Sequence, residues 1–255
     1  MSIKVEGLSF SYGAHRVLHD IGFEVPDGAL TVVLGPNGTI EVNGKDVARL
    51  SVAQRARELA YIPQAHANIF DYEVVDLVLM ACGTDLGMMR SPTRRHEARA
   101  MEALDRVGIA ELAHRPITQL SGGQQQLALV ARAIAQDSHA IVMDEPTSAL
   151  DFANTSRVLG LVRELSAEGR SVLLSMHQPD QAYLYADRVL AMQDGDVYAQ
   201  GLPADVVTQE HVSELYGVDV RVCPLFGDLA RAVVPASALA RGGPKPGAAP
   251  GGEHA

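Results

Sequence analysis

The sequence predicts an α/β fold: a parallel sheet with a β-rich lobe before it and a helical subdomain set into its middle. Three observations carry that reading. Short apolar runs ended by glycine or acids, "LTVVLG", "AIVMDE" and "SVLLSMH", read as buried parallel strands. From residue 140 onward such runs alternate with helical stretches, the pattern of strand–helix–strand units. Residues 73 to 136 carry helical periodicity almost throughout.

Taken in order, the first 35 residues read as short strands with turns, ending in the strand Thr31–Leu34. "TIEVNGKDV" alternates and then turns at Asn43-Gly44, which predicts a hairpin. "AYIPQ" ends another short strand. Ser91-Pro92 supplies an N-cap and first-turn pair, after which Ala98, Met101, Leu104 and Val107 recur at helical spacing. In "LSGGQQQLALVARAIA", Ser121 and Gln124 form a capping box, and Leu127, Val130, Ala131 and Ile134 line one helical face. "SRVLGLVRELSAEG" is an amphipathic helix stopped by glycine, and "RVLAM" is a further strand. Residues 1 to 235 therefore read as one folded unit, with the helical subdomain at about 73 to 136. The Gly/Pro/Ala-rich segment 236 to 255 reads as a disordered tail.

Composition narrows the function. The chain has 255 residues, 47% of them hydrophobic, enough for one substantial core. A formal net charge of −10 argues against a nucleic-acid partner, which would call for a basic face. Cys82 and Cys223 have neither metal-ligand spacing nor a disulfide framework, which fits a reducing compartment. Met1 to Gly13 has no apolar leader, and no apolar run reaches the ~18 residues of a membrane span. A cytoplasmic location is expected, peripheral to a membrane through a partner.

Several short motifs bear chemistry. Gly122 and Gly123 leave a helix N-terminus bare, so its free N–H groups can meet an anion closely. Taken alone, the same string is also a well-capped helix with a Gly-Gly entry. Asp144 and Glu145 follow a strand, where ligands of parallel sheets bind. Asp144 could hold Mg²⁺ and Glu145 could polarise a water, or the two could be solvated acids. His177 ends the next strand, and a lone histidine there is often structural. Tyr12 and Gln64 are weak signals singly: a tyrosine can stack a base and a glutamine can orient a metal-bound water.

Together they are specific. Tyr12, Gly35-Pro36-Asn37-Gly38, Gln64, Leu120-Ser121-Gly122-Gly123-Gln124, Met143-Asp144-Glu145-Pro146, Ser148-Ala149-Leu150-Asp151 and His177 occur in this order. Over about residues 1 to 225 the chain resembles the ATP-binding cassette (ABC) ATPases, the motor subunits of ABC transporters. "YIPQAH", "VVDLVLMACG" and "LYGVDVRV" are similar to the importer branch for metal chelates such as iron–siderophore, haem or cobalamin. The resemblance implies a P-loop NTPase-type parallel sheet with an antiparallel β-lobe and a helical signature subdomain. It implies ATP and Mg²⁺ as cofactors, and ATP hydrolysis coupled to transport. By resemblance, Tyr12 stacks on adenine, Gly35, Pro36, Asn37 and Gly38 open the phosphate loop, and Gln64 and Asp144 attend Mg²⁺. Glu145 is then the general base and His177 contacts the γ-phosphate. Ser121, Gly122, Gly123 and Gln124 bind ATP held by a second ATPase subunit, and Asp151 crosses that interface. The partners implied are transmembrane permease subunits, which this chain would meet on the inner face of the cell membrane, a second ATPase subunit and, indirectly, an extracytoplasmic binding protein.

The chain departs from the family at the phosphate loop. The pattern G-x-x-x-x-G-K-[ST] opening a helix is absent, and Gly38 runs directly into Thr39-Ile40-Glu41-Val42. The gap is on the order of twenty residues, one helix and its loops. Lys45 does not substitute, because five residues separate Gly38 from Gly44, and Asp46 stands where a hydroxyl is needed. Losing two charge-assisted hydrogen bonds of ~1.5–3 kcal/mol each weakens phosphate binding by ~10²–10⁵-fold. Turnover at this chain's own site is thereby in question. The alternative is a non-catalytic subunit whose Ser121–Gln124 element completes a partner's ATP site, or a chain shortened by a deletion.

Overall fold

The computed structural model describes residues 3–12, 15–34, 51–63, 71–82 and 92–239. Its N-terminal lobe is β1 (Ile3–Tyr12) and β2 (His15–Val25), followed by β3 (Leu30–Leu34), α1 (Val52–Glu58) and β4 (Leu59–Ile62). The helical subdomain comprises α2 (Val74–Cys82), α3 (Arg94–Arg106) and α4 (Gly122–Gln136). Then come β5 (Ala140–Met143), α5 (Phe152–Ala167), β6 (Ser171–Met176), α6 (Pro179–Tyr185), β7 (Arg188–Gln193) and β8 (Asp196–Gly201). The chain closes with α7 (Pro203–Val206), α8 (Gln209–Tyr216), β9 (Val220–Leu225), β10 (Ala230–Pro235) and α9 (Ala236–Leu239).

Among the described residues, the central sheet runs in the order β4-β5-β6-β3-β7-β8. All its pairs are parallel except β7–β8. That last pair is a hairpin turning at Asp194 (φ 49°) and Gly195 (φ 85°), an Asp-Gly turn whose positive φ values match strand twist. The expected antiparallel lobe is present, but its strands are long: β1 has 10 residues and β2 has 11.

The sheet is covered on both faces, and alternation along each strand decides which residue goes where. Ile3, Val5 and Val25 of the lobe pack with Ala140 and Leu173. Leu18 and Ile21 pack with Leu190 and Met192. The intervening positions Ile141, Val172, Leu174, Val189 and Ala191 join the main core instead. That core continues without a break into Val78 of α2, Leu104 of α3 and Val130 of α4.

Three local expectations are corrected. Helix α4 is not one-faced: Leu127, Ala128, Leu129, Val130 and Ala131 are consecutive and all buried. It packs against α2, α3 and β4 together, so it is enclosed rather than laid on a surface. Helix α3 is capped by Thr93, not by Ser91: the Thr93 N–H donates to Nδ1 of His96 (3.0 Å), and a histidine takes the place of the expected Glu or Gln. The segment from 236 begins with a helical turn, α9, anchored by the Ala236 N–H on the Asp219 carbonyl at 2.8 Å. The hairpin expected at residues 39 to 47, Ser91 and residues 240 to 255 lie outside the described residues.

Candidate functional site

The chemistry-bearing residues collect at the carboxyl ends of β5 and β6. These strands pair in parallel with Met143 opposite Leu174. Asp144, one step past β5, donates its N–H to the Ile62 carbonyl of β4 at 2.9 Å. The next residue, Glu145, has φ 43°, a left-handed conformation that non-glycine residues adopt at a cost.

One hydroxyl spans that kink. Ser175 Oγ donates to Asp144 Oδ1 at 2.8 Å and accepts the Glu145 N–H at 2.9 Å. Glu145 Oε1 then meets Nε2 of His177 at 2.5 Å. The Glu145 side chain is 15% exposed and that of His177 52% exposed, so the pair opens to solvent on the histidine side. His177 is held from behind: the Tyr216 hydroxyl, at the end of α8, donates to its carbonyl oxygen at 3.1 Å. Burial pushes the Tyr216 phenol up to about 12. Tyr61 of β4 is raised as well, first by burial and then by the charge of Asp144.

The segment after Glu145 folds back on it. The Ser148 N–H and hydroxyl both donate to the Glu145 carbonyl, at 3.2 and 3.0 Å. Asp151 Oδ1 accepts the Asn154 N–H at 2.8 Å and caps α5. The N-terminus of α4 rests on this same segment. A Cβ at Gly123 would lie 3.3 Å from Leu150 Cδ2 and 3.7 Å from the Ala149 carbonyl, while one at Gly122 meets nothing within 4 Å. The capping box is formed as predicted: the Ser121 N–H donates to Gln124 Oε1 (3.0 Å) and the Gln124 N–H to Ser121 Oγ (3.3 Å).

The structure thus unites Asp144, Glu145 and His177, and sets Ser121–Gln124 against the Ala149–Leu150 segment that leads to Asp151. Gly35, Pro36, Asn37, Gly38, Lys45 and Gln64 lie outside the described residues, as does the side chain of Tyr12, whose backbone ends β1. Sequence reasoning missed Ser175 and Tyr216. Ser175 had a legible signal, because residues two apart at a strand end share a face with His177. Tyr216 had none, being 39 residues from the group it touches.

A partly buried carboxylate against an imidazole, beside a second carboxylate at the end of a parallel strand, suits water activation next to a bound phosphate. The family model for ABC transporters matches residues 29–148. An uncharacterized ABC transporter ATP-binding protein of Haemophilus influenzae is 32% identical over 235 residues, covering 85% of this chain and 89% of that protein. The chain belongs to the ATP-binding proteins of ABC transporters. The achromobactin transport ATP-binding protein of Dickeya dadantii is 30% identical over 237 residues, 85% of this chain and 88% of that protein. A metal-chelate type ABC transporter solved in an inward-facing conformation superposes with a TM-score of 0.78 at 30% identity, covering 92% of this chain and 97% of that one. As an ABC ATPase, the chain is expected to couple ATP hydrolysis to transport. Among its described residues no helix is long and apolar enough to cross a membrane.

Proposed function

We propose that the chain is the ATP-binding subunit of an ABC importer for a metal chelate such as an iron–siderophore, seated on the cytoplasmic face of its permease. The class of cargo is supported by the achromobactin relative and the metal-chelate transporter. The ATPase role is carried by one observation: Asp144, Glu145 and His177 are locked together at adjacent strand ends. In this reading Glu145 accepts a proton from the attacking water while His177 holds its carboxylate in place and faces the γ-phosphate.

Mg²⁺ fits the residues present. Asp144 offers a hard oxygen at the strand end, polarised by the Ser175 hydroxyl. Among the described residues no cluster of His, Cys, Asp and Glu could hold a metal by itself. Mg²⁺ keeps several of its waters, takes one or two carboxylates and arrives with nucleotide phosphates. The ion would neutralise charge on the phosphates.

The altered loop at residues 35 to 46 favours a second element in the reading. The chain's own site lacks the lysine that holds the phosphates and the hydroxyl that holds Mg²⁺, whereas its Ser121–Gln124 element is intact and Gly122 is unobstructed. That element therefore completes the ATP site of a second ATPase subunit, while the chain's own phosphate loop is incomplete. Thermal unfolding with saturating Mg-ATP tests this. A ligand held at ~100 Kd adds ~2.7 kcal/mol to the folded state, a shift of a few degrees. We expect no shift for the chain alone and a shift when an intact ATPase subunit is supplied. A clear shift for the chain alone would sink the impaired-site reading. Cells lacking the chain should lose uptake of a labelled iron–siderophore, and unchanged uptake would count against the cargo.

A further inference from the structure

We propose that Ser175 is a positioning residue that sets both acids of the site with one hydroxyl. Consecutive residues of an extended strand point to opposite faces, so Asp144 and Glu145 would diverge if β5 simply continued. The chain kinks instead: Glu145 takes φ 43°. A carboxylate residue held left-handed is strained and needs surrounding contacts to hold it there. Ser175 supplies the central one, accepting the Glu145 N–H at 2.9 Å. Its single proton is then committed to Asp144 Oδ1 at 2.8 Å. The hydroxyl is used as donor and acceptor at once, which polarises both bonds.

The placement has a consequence for His177. Ser175 and His177 stand two apart at the end of β6, and each engages one of the two acids. The bond that the Glu145 N–H donates to Ser175 Oγ turns Glu145, and the turned residue delivers its carboxylate to Nε2 of His177 at 2.5 Å. Ser175 touches neither nucleotide nor water in this account and acts through its neighbours, as partners behind a ligating group do. What the two acids then do rests on the ATPase reading above; their geometry does not.

The test is made on the full chain without nucleotide, so that failure to bind ATP cannot obscure it. With ¹⁵N-labelled histidine, the Nε2 shift of His177 is read through its carbon-bound ring protons and assigned by its loss in His177→Gln. Exchange of the Glu145 amide is followed in parallel. We expect Ser175→Ala to move the Nε2 signal to the position of a solvent-exposed histidine and to abolish protection of the Glu145 amide. Ser175→Thr, which keeps the hydroxyl, should preserve both. Should the alanine variant fail to fold, Ser175→Cys, close in shape but a weak hydrogen-bonder, is read in its place. Wild-type values in Ser175→Ala, or loss of both signals in Ser175→Thr, would overturn the proposal. So would a wild-type protein with no protected Glu145 amide. Failure of Mg-ATP to bind would bear on the ATPase reading and leave this result standing.

Discussion

His177 Nε2 and Glu145 Oε1 meet at 2.5 Å across the ends of two neighbouring strands, although 32 residues separate them in sequence. The contact engages Oε1 of the carboxylate. For a general base, geometry of this kind comes before proton affinity. Whether it operates in this chain depends on a phosphate being held nearby.

That dependence makes the first prediction a null effect. Glu145→Gln should leave basal phosphate release of the isolated chain unchanged, because the G-x-x-x-x-G-K-[ST] pattern that would place a lysine on the γ-phosphate and a hydroxyl on Mg²⁺ is absent, and Lys45 does not stand at its position. A steady-state phosphate-release assay decides it, and a measurable fall on substitution would refute the impaired site.

The two glycines that open α4 should respond differently to alanine. A Cβ at Gly122 meets nothing within 4 Å, so Gly122→Ala should fold normally. At Gly123 the added carbon would press Leu150 Cδ2 at 3.3 Å, and mild overpacking of that kind costs ~1 kcal/mol, roughly 2–4 °C in Tm for a domain of this size. Differential scanning calorimetry of the two variants reads the contrast. Gly122→Ala should nonetheless weaken ATP binding in a mixture with an intact subunit, since a methyl group obstructs close approach of phosphate to the helix N-terminus.

Asp151 has a structural duty whatever its role at an interface. Its Oδ1 accepts the Asn154 N–H at 2.8 Å. Asp151→Ala should cost ~1 kcal/mol, or about 2–4 °C in Tm, and Asp151→Asn should restore most of it. Equal losses for both substitutions in a thermal melt would mean that capping is not the stabilising contact.

Tyr216 predicts an alkaline limb. Its phenol is raised from 10.0 to about 12 by burial in the folded chain. The folded state therefore holds its proton after the unfolded chain has begun to release it. The associated stability is complete below pH 10 and is lost as pH rises towards 12. Tyr216→Phe should flatten the fall in stability over that window, as measured by urea unfolding at a series of pH values. It should also loosen the His177 carbonyl, which loses its 3.1 Å bond.

Local chemistry was legible wherever it depended on neighbours in sequence. The Ser121–Gln124 capping box, the acids after "AIVM" and the glycine stop of α5 each depend on a few adjacent residues, and each is present. The order of motifs likewise specified the family, because that order is preserved however the chain folds. Local pattern failed where a non-standard group filled a standard role, as with His96 behind Thr93. It also failed where packing overrode amphipathicity, as in α4, which α2, α3, α5 and β4 enclose.

The sequence by itself determined the parallel sheet, the family and the identities of Asp144, Glu145, His177 and the Ser121–Gln124 element. Tertiary structure alone decided how those residues meet. Parallel pairing of β5 with β6 brings Ser175 beside two acids about thirty residues away, and the end of α8 reaches back to brace His177. The physical reason is that hydrogen bonds between distant segments are set by strand register and helix packing, which arise from burial of the whole core. No short window of sequence encodes them.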